Sequence, residues 1–243
     1  MQKAWTGDEY VQELLYIMKN FDSFYAYGAF GAPADYKNNR TRYKVPSAPN
    51  GSYLFDCSGF AYKAVPWGWN GYHDRVYGGA TYKKVPFDAL ETNDILSLCD
   101  DVSEDFETIQ VGEVVYMTGH VGIYIGKGEV IECTSAWENG ILISCCDNIQ
   151  VRSDMPYHRT WLKHGKLPFI EYVEDDNSDP AAECEEDVLN KVDWGTANLE
   201  SAIYNLNEAS EHIKAAVSEL GNVQKAFTDI DNIISEFFGG SKE

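Results

Sequence analysis

Cys57 stands between an aspartate and a serine in the stretch Tyr53-Leu54-Phe55-Asp56-Cys57-Ser58-Gly59-Phe60. A thiol attacks only as thiolate, and a helix N-terminus stabilises that form through its dipole and unpaired N–H groups. Asp56 is of a type that caps helices, and Phe60, Ala61, Ala64 and Val65 recur on one face behind it. Ser58 and Gly59 are small enough to leave the sulfur accessible. A thiolate nucleophile also needs a base, usually histidine, and the histidine needs a partner that orients it. The histidines are His73, His120, His158, His164 and His212. His120 has the best setting, because it opens the β-type run 120–126 directly after Gly119. If that run pairs with the next through a turn at 126–128, Glu132 comes close to His120. Nucleophile, base and orienting carboxylate would then be Cys57, His120 and Glu132. Residue types alone also allow an inert buried thiol and a structural histidine, both of which are common.

Several elements must position these groups. Residues 8–19 carry Val11, Leu14, Leu15 and Met18 on one helical face. Residues 25–53 are rich in turn formers and read as a long loop. A helix follows from 56, ended by Pro66. Residues 66–84 form a Gly/aromatic loop, and a short capped helix is expected within 85–102. The pattern then changes. The runs 111–117, 120–126, 128–135 and 140–146 are short, β-rich and separated by glycine-containing turns, as in an antiparallel meander. Helices first and sheet after is an α+β layout.

Charge excludes some functions. The 243-residue chain has a formal net charge of −20, which argues against nucleic acid as a partner and supplies no polybasic patch for a membrane surface. No run is long and apolar enough to span a bilayer, and the N-terminus carries no visible secretion signal, so synthesis in the cytoplasm is expected. The six cysteines form no CxxC pair and no disulfide framework, so neither a metal nor another cofactor is expected. Cys145 and Cys146 are adjacent on a strand and should point to opposite faces, one into the core and one outward. The 16 Tyr, 11 Phe and 6 Trp suit either a core or a binding surface.

The end of the chain differs in kind. Residues 174–243 hold 17 acidic side chains against 4 basic ones. An acidic linker is expected at 174–182, with a helix starting at Asp179-Pro180. In 183–243, Ile203, Leu206, Ile213, Val217 and Leu220 keep helical spacing. Gly221-Asn222 interrupts it, and Val223, Phe227, Ile230, Ile234 and Phe237 resume it out of phase. That pattern predicts a helical hairpin or a coiled coil that self-associates or docks a protein partner.

The motifs Phe55-Asp56-Cys57-Ser58-Gly59-Phe60, 111–117 and 119–132, in this order, resemble those of the NlpC-type cell-wall cysteine peptidases across roughly residues 20–173. The resemblance implies a papain-like α+β fold, with a helix-borne cysteine packed on an antiparallel sheet and residues 1–173 as the catalytic domain. It implies hydrolysis of bacterial peptidoglycan at a stem-peptide amide beside a D-glutamyl residue. Cys57 would attack the carbonyl, His120 would carry the proton, and an acyl-enzyme would form. Tyr25, in the Tyr-Ala-Tyr-Gly stretch 25–28, would stand on the substrate or oxyanion side, and Asp56 and Ser58 would grip the peptide's free amine. There are departures from the family pattern. Ala29 stands where the family has a second glycine, the segment between 28 and 55 is longer than usual, and Glu132 stands where His, Asn or Gln is customary. Glutamate is more typical of CHAP amidases. An amidase cutting the muramoyl–alanine bond is therefore one alternative. Others are protein acyl transfer or deamidation on the same fold, and a non-catalytic wall-binding or virion module. The implied enzyme is lysin-like, reaching the wall after release or delivery. Trp67 and Trp69 would serve either core packing or wall targeting.

Overall fold

A computed structural model describes residues 4–81 and 92–172 and, nearer the C-terminus, residues 210, 214, 217–230 and 232–234. The chain divides into two units, Met1–Glu174 and Asp175–Glu243.

Helix α1, Gly7–Asn20, starts with a reciprocal cap in which Thr6 and Glu9 satisfy each other's backbone N–H groups. Its buried face is Tyr10, Val11, Leu14 and Ile17. Gly7 is required there, since a Cβ would lie 2.1 Å from the carbonyl oxygen of Val111. Strand β1 (Trp5–Thr6) runs parallel to β12 (Ile170–Glu171) and ties the two ends of this unit together.

The segment expected to be one loop after Tyr25 is more ordered than its composition suggests. Strands β2 (Ser23–Tyr25), β3 (Phe30–Pro33) and β4 (Tyr53–Phe55) form a small sheet in the order β2-β4-β3, and a helical turn, α2, spans Asn39–Arg42. Ala26, Ala29, Ala32 and Ala34 are buried with Leu54 beneath it. Alanine and glycine carry little apolar periodicity, so a core built from them does not announce itself in sequence.

The main sheet has seven strands: β5 (Asp100–Ser103), β6 (Val114–Met117), β7 (His120–Gly126), β8 (Glu129–Thr134), β9 (Gly140–Cys146), β10 (His158–Arg159) and β11 (Lys163–Lys166). Their order is β10-β9-β8-β7-β6-β11-β5. Strands β6 to β9 make the antiparallel meander. The sheet as a whole is mixed, because β10 joins β9 in parallel. The central strands are covered on both faces. Ile131 and Cys133 of β8 face the cluster containing Tyr10, Phe55 and Phe60, while Val130 faces Trp161, Phe106 and Cys146. Burial on both faces explains why Cys145 and Cys146 are both fully buried rather than divided between core and solvent.

One further expectation needs correcting. The short helix within 85–102 is a 3₁₀ turn at Thr92–Ser97, and part of its span lies outside the described residues. Of the two readings open for Trp67 and Trp69, core packing is the one observed. Trp67 is buried edge-on against Phe30, and Trp69 packs on Phe21, Tyr53 and Phe55 while its indole N–H donates to the Gly31 carbonyl. In the second unit the helix runs unbroken through Gly221 and Asn222, from 217 to 230. The linker at 174–182 and the helix start at Asp179-Pro180 lie outside the described residues.

Candidate active site

Strand β4 delivers the chain to Asp56, where it turns into a short helix. Cys57 and Ser58 take α-helical geometry, and Gly59–Lys63 continue as a π-helical turn. Asp56 caps this start. Its Oδ1 accepts the Gly59 N–H at 2.5 Å and the Ser58 hydroxyl at 3.0 Å, and its Oδ2 accepts the Gly28 N–H at 2.7 Å. Burial holds the Asp56 carboxyl above the usual carboxylate range despite these donors. Gly59 is small for a reason other than access to the sulfur. A Cβ there would lie 1.9 Å from the Ala29 carbonyl oxygen, which already accepts the Asp56 N–H. The close approach of the helix start to the 26–29 turn therefore sets where Cys57 sits.

His120 begins β7, and Glu132 lies on β8. The register places Glu132 diagonally from His120, opposite Gly122. Because Gly122 has no side chain, His120 and Glu132 reach each other across it. His120 Nε2 and Glu132 Oε2 are 2.6 Å apart. The other ring nitrogen, Nδ1, remains for Cys57, with which His120 is also hydrogen-bonded. Trp161 stacks on the imidazole at 5.7 Å between centroids, with planes 15° apart. Burial pulls the proton affinity of His120 down, but its bonds to Cys57 and Glu132 outweigh that, and its pKa is raised. Glu132 is lowered: burial pushes its carboxyl up, but His120 and Arg159 more than compensate.

Three donors converge on the fully buried Glu132 carboxylate. Besides His120, Ser144 Oγ donates to Oε1 at 2.5 Å and Arg159 Nε donates to Oε1 at 3.1 Å. Arg159 Nη2 lies 2.9 Å from Oε2 as an ion pair. Its guanidinium is sandwiched over Trp137 and Trp161, 4.5 and 5.5 Å from the ring centroids. Sequence reasoning missed Arg159 and Ser144. A carboxylate inside a strand as apolar as Glu-Val-Ile-Glu-Cys-Thr cannot be buried uncompensated, and that was the available signal.

Tyr25 ends β2 beside Phe55, and its backbone N–H donates to Asn139 Oδ1. Burial raises the Tyr25 phenol, with the neighbouring Cys57 and Asp56 adding to the effect. Asp56 and Ser58, the expected amine grip, are 6% and 3% exposed and bond to each other and to the helix start. Ser58 Oγ also accepts from Lys63 Nζ at 3.0 Å. Cys133, a second thiol nearby, is wholly buried, bonds the Phe55 carbonyl and is pushed well above the ordinary thiol range by desolvation. It is not brought into a metal cluster with Cys57 and His120. Among the described residues the one group of potential metal ligands is Cys145, Asp147 and His158. His164 is a core residue paired with Glu113, and His73 bonds Tyr53.

No protein-family model matches the chain, and no curated protein does. Among solved structures it is similar to NlpC1 from Trichomonas vaginalis at 16% identity and a TM-score of 0.34. That match covers 66% of this chain and 44% of the other, so the chain spans less than half the length of the Trichomonas protein. It is also similar to the P60 domain of antigen MAP1204 from M. avium subspecies paratuberculosis, at 15% identity and a TM-score of 0.38, covering 68% and 98% of the two chains. A third similarity is to the peptidoglycan hydrolase RipB from Mycobacterium tuberculosis, at 15% identity and a TM-score of 0.36, covering 68% and 67%.

Proposed function

We propose that the chain is a peptidoglycan hydrolase that cleaves stem-peptide amide bonds by a Cys-His-Glu thiol mechanism. The observation that carries this reading is the continuous chain of contacts from Cys57 through His120 to Glu132, at 2.6 Å for its last link, with the thiol at a capped helix start. His120 is held as a proton carrier, with Nε2–H donating to the carboxylate and Nδ1 facing the sulfur. The thiol proton passes to Nδ1, and the resulting imidazolium is stabilised by Glu132. The thiolate attacks the amide carbonyl carbon. Collapse of the adduct breaks the C–N bond as Nδ1–H protonates the leaving amine, and a thioester remains on Cys57. Water, deprotonated by Nδ1, then hydrolyses that thioester and regenerates the thiol. Tyr25 stands on the substrate side of Cys57. The choice of peptidoglycan rests on the motif resemblance across residues 20–173.

The test is digestion of purified peptidoglycan by the wild type and by Cys57→Ala, with mass spectrometry of the soluble fragments. The wild type is expected to release fragments and the variant none. New termini within the stem peptide support the endopeptidase reading, whereas a free lactyl carboxyl with an intact peptide would replace it with the amidase. Failure of the wild type on several wall chemotypes would refute wall hydrolysis.

The exposed helix of the second unit fits self-association. Leu220, Val223, Phe227, Ile230 and Ile234 alternate three- and four-residue steps and are all about half exposed or more. A second copy of this helix would cover that stripe as a coiled coil.

A further inference from the structure

We infer that Cys145, Asp147 and His158 form a binding site for one thiophilic divalent transition-metal ion of the zinc class, separate from the Cys57 site. The backbone assembles the three ligands at the β9–β10 edge. Cys145 and His158 are direct partners in the parallel pairing, with the Cys145 N–H donating to the Tyr157 carbonyl at 2.8 Å. The pairing continues one step further, as the Asp147 N–H donates to the Arg159 carbonyl at 3.0 Å. Cys145 lies near the end of β9, and Asp147 begins the turn just beyond it. One ligand atom from each of the three residues lies within 4.8 Å of the other two.

The hydrogen bonds of His158 orient its ring as a ligand. Its Nε2 faces the Met155 carbonyl at 3.0 Å, and a carbonyl only accepts, so Nε2 carries a proton. In the neutral ring Nδ1 is then a bare lone pair. Yet Nδ1 lies 2.8 Å from Asp147 Oδ1, itself an acceptor. That spacing is bridged by a proton on Nδ1, which a metal ion would displace as the two ligand atoms opened to the wider separation of a tetrahedral site. The Met155 carbonyl plays the part of the outer-shell acceptor that fixes the tautomer of a ligating histidine. Cys145 supplies the third donor in place of its present S–H contact to the Gln150 carbonyl at 3.0 Å.

The ligand set selects the metal. A thiolate, an imidazole and a carboxylate suit zinc or cobalt and are poor ligands for magnesium or calcium. Binding releases the Cys145 thiol proton to solvent, together with any proton on Nδ1. The two negative ligands then neutralise the dication. Asp147 and His158 keep side-chain exposures of 22% and 32%, so water can complete a tetrahedron.

The opposite face of the same edge holds the catalytic carboxylate. Ser144 precedes Cys145 and Arg159 follows His158, and both bond Glu132. A metal ion would therefore clip together the two strands that carry these Glu132 partners.

The test uses full-length protein, stripped with a chelator under reducing conditions and titrated with Co²⁺, then with Zn²⁺ in competition. One equivalent of Co²⁺ is expected to give a thiolate-to-metal charge-transfer band and tetrahedral visible bands, both lost on adding Zn²⁺, with proton release on binding. Cys145→Ser should remove the charge-transfer band. His158→Gln, at a partly exposed position, should weaken binding more than about 100-fold, beyond the loss of an outer-shell partner. Cys57→Ala should leave both unchanged. A spectrum without a thiolate band overturns the inference. So does a band that survives both Cys145→Ser and His158→Gln, or one abolished by Cys57→Ala.

Discussion

Replacing Glu132 by Gln tests the electrostatics of the site without a substrate. The isosteric change removes one negative charge from a fully buried position 2.6 Å from the His120 ring nitrogen. With charge spread over ring and carboxylate, the charge centres are about 4 Å apart. At an effective dielectric near 20 that separation is worth about 4 kcal/mol. Arg159 is present in both proteins, so its own effect on His120 cancels from the difference, and the His120 pKa is expected to fall when the carboxylate is lost. The sign for stability follows. In the wild type the folded-state pKa of His120 is raised, so this stabilisation is complete below the unfolded value of 6.5 and is lost as pH rises through the folded value. Glu132 is lowered, so its share is present above its unfolded value of 4.5 and is lost as pH falls through the folded one. The stability difference between wild type and variant is therefore largest between about pH 4.5 and 6.5. NMR titration of isotope-labelled histidine, with His120 identified by His120→Ala, reads the shift directly. A His120 midpoint that is unchanged or higher in Glu132→Gln would refute the reasoning. Turnover should fall by about 10³–10⁴-fold, as when the orienting carboxylate of such a triad becomes an amide.

Arg159→Met keeps the packing between Trp137 and Trp161 but leaves Glu132 with one cationic partner. About 3 kcal/mol of stability should be lost in urea unfolding, and an unchanged midpoint would sink the idea that Arg159 compensates a buried charge. Gly59→Ala forces a Cβ against the Ala29 carbonyl and should cost about 2–3 kcal/mol, a Tm drop of roughly 5–10 °C by calorimetry. Gly68→Ala is the control, with a positive φ but open space around it, and should cost only about 1 kcal/mol. Leu220→Asp with Phe227→Asp should convert an associated species to monomer in sedimentation experiments, while a wild type already monomeric at high concentration would remove the self-association reading.

How much of this was legible in the sequence depends on how local each determinant is. The helix start at Cys57 and the β7–β8 hairpin are short-range features. Asp56 caps through a residue three positions on, and Glu132 reaches His120 through a turn of known length. Pattern reasoning therefore brought nucleophile, base and carboxylate together. The β3 strand and the alanine core under it were not legible, because Ala29, Ala32 and Ala34 give no hydrophobic period, and the contacts that order them lie 20 or more residues away in β4. The parallel β9–β10 edge was hidden for a related reason. A two-residue strand such as His158–Arg159 has too few side chains to show alternation.

That same edge shows what a residue-type search leaves out. Looking for a triad ends once a thiol, an imidazole and a carboxylate are found. Asking how the carboxylate tolerates burial goes further, because a charged group with no exposure needs compensation from every side. His120 supplies one donor, and only when it keeps a proton on Nε2. The remaining lone pairs of Glu132 demand Ser144 and a permanent cation, and the cation must lie where the chain can return to β8. Arg159 meets that demand from a strand 27 residues further on, and it remains charged through the whole cycle while His120 gains and gives up its proton. Glu132 is thus kept ionised at the moment His120 is neutral, the point in the reaction at which a carboxylate held by histidine alone would be most apt to take up a proton and cease to orient the ring.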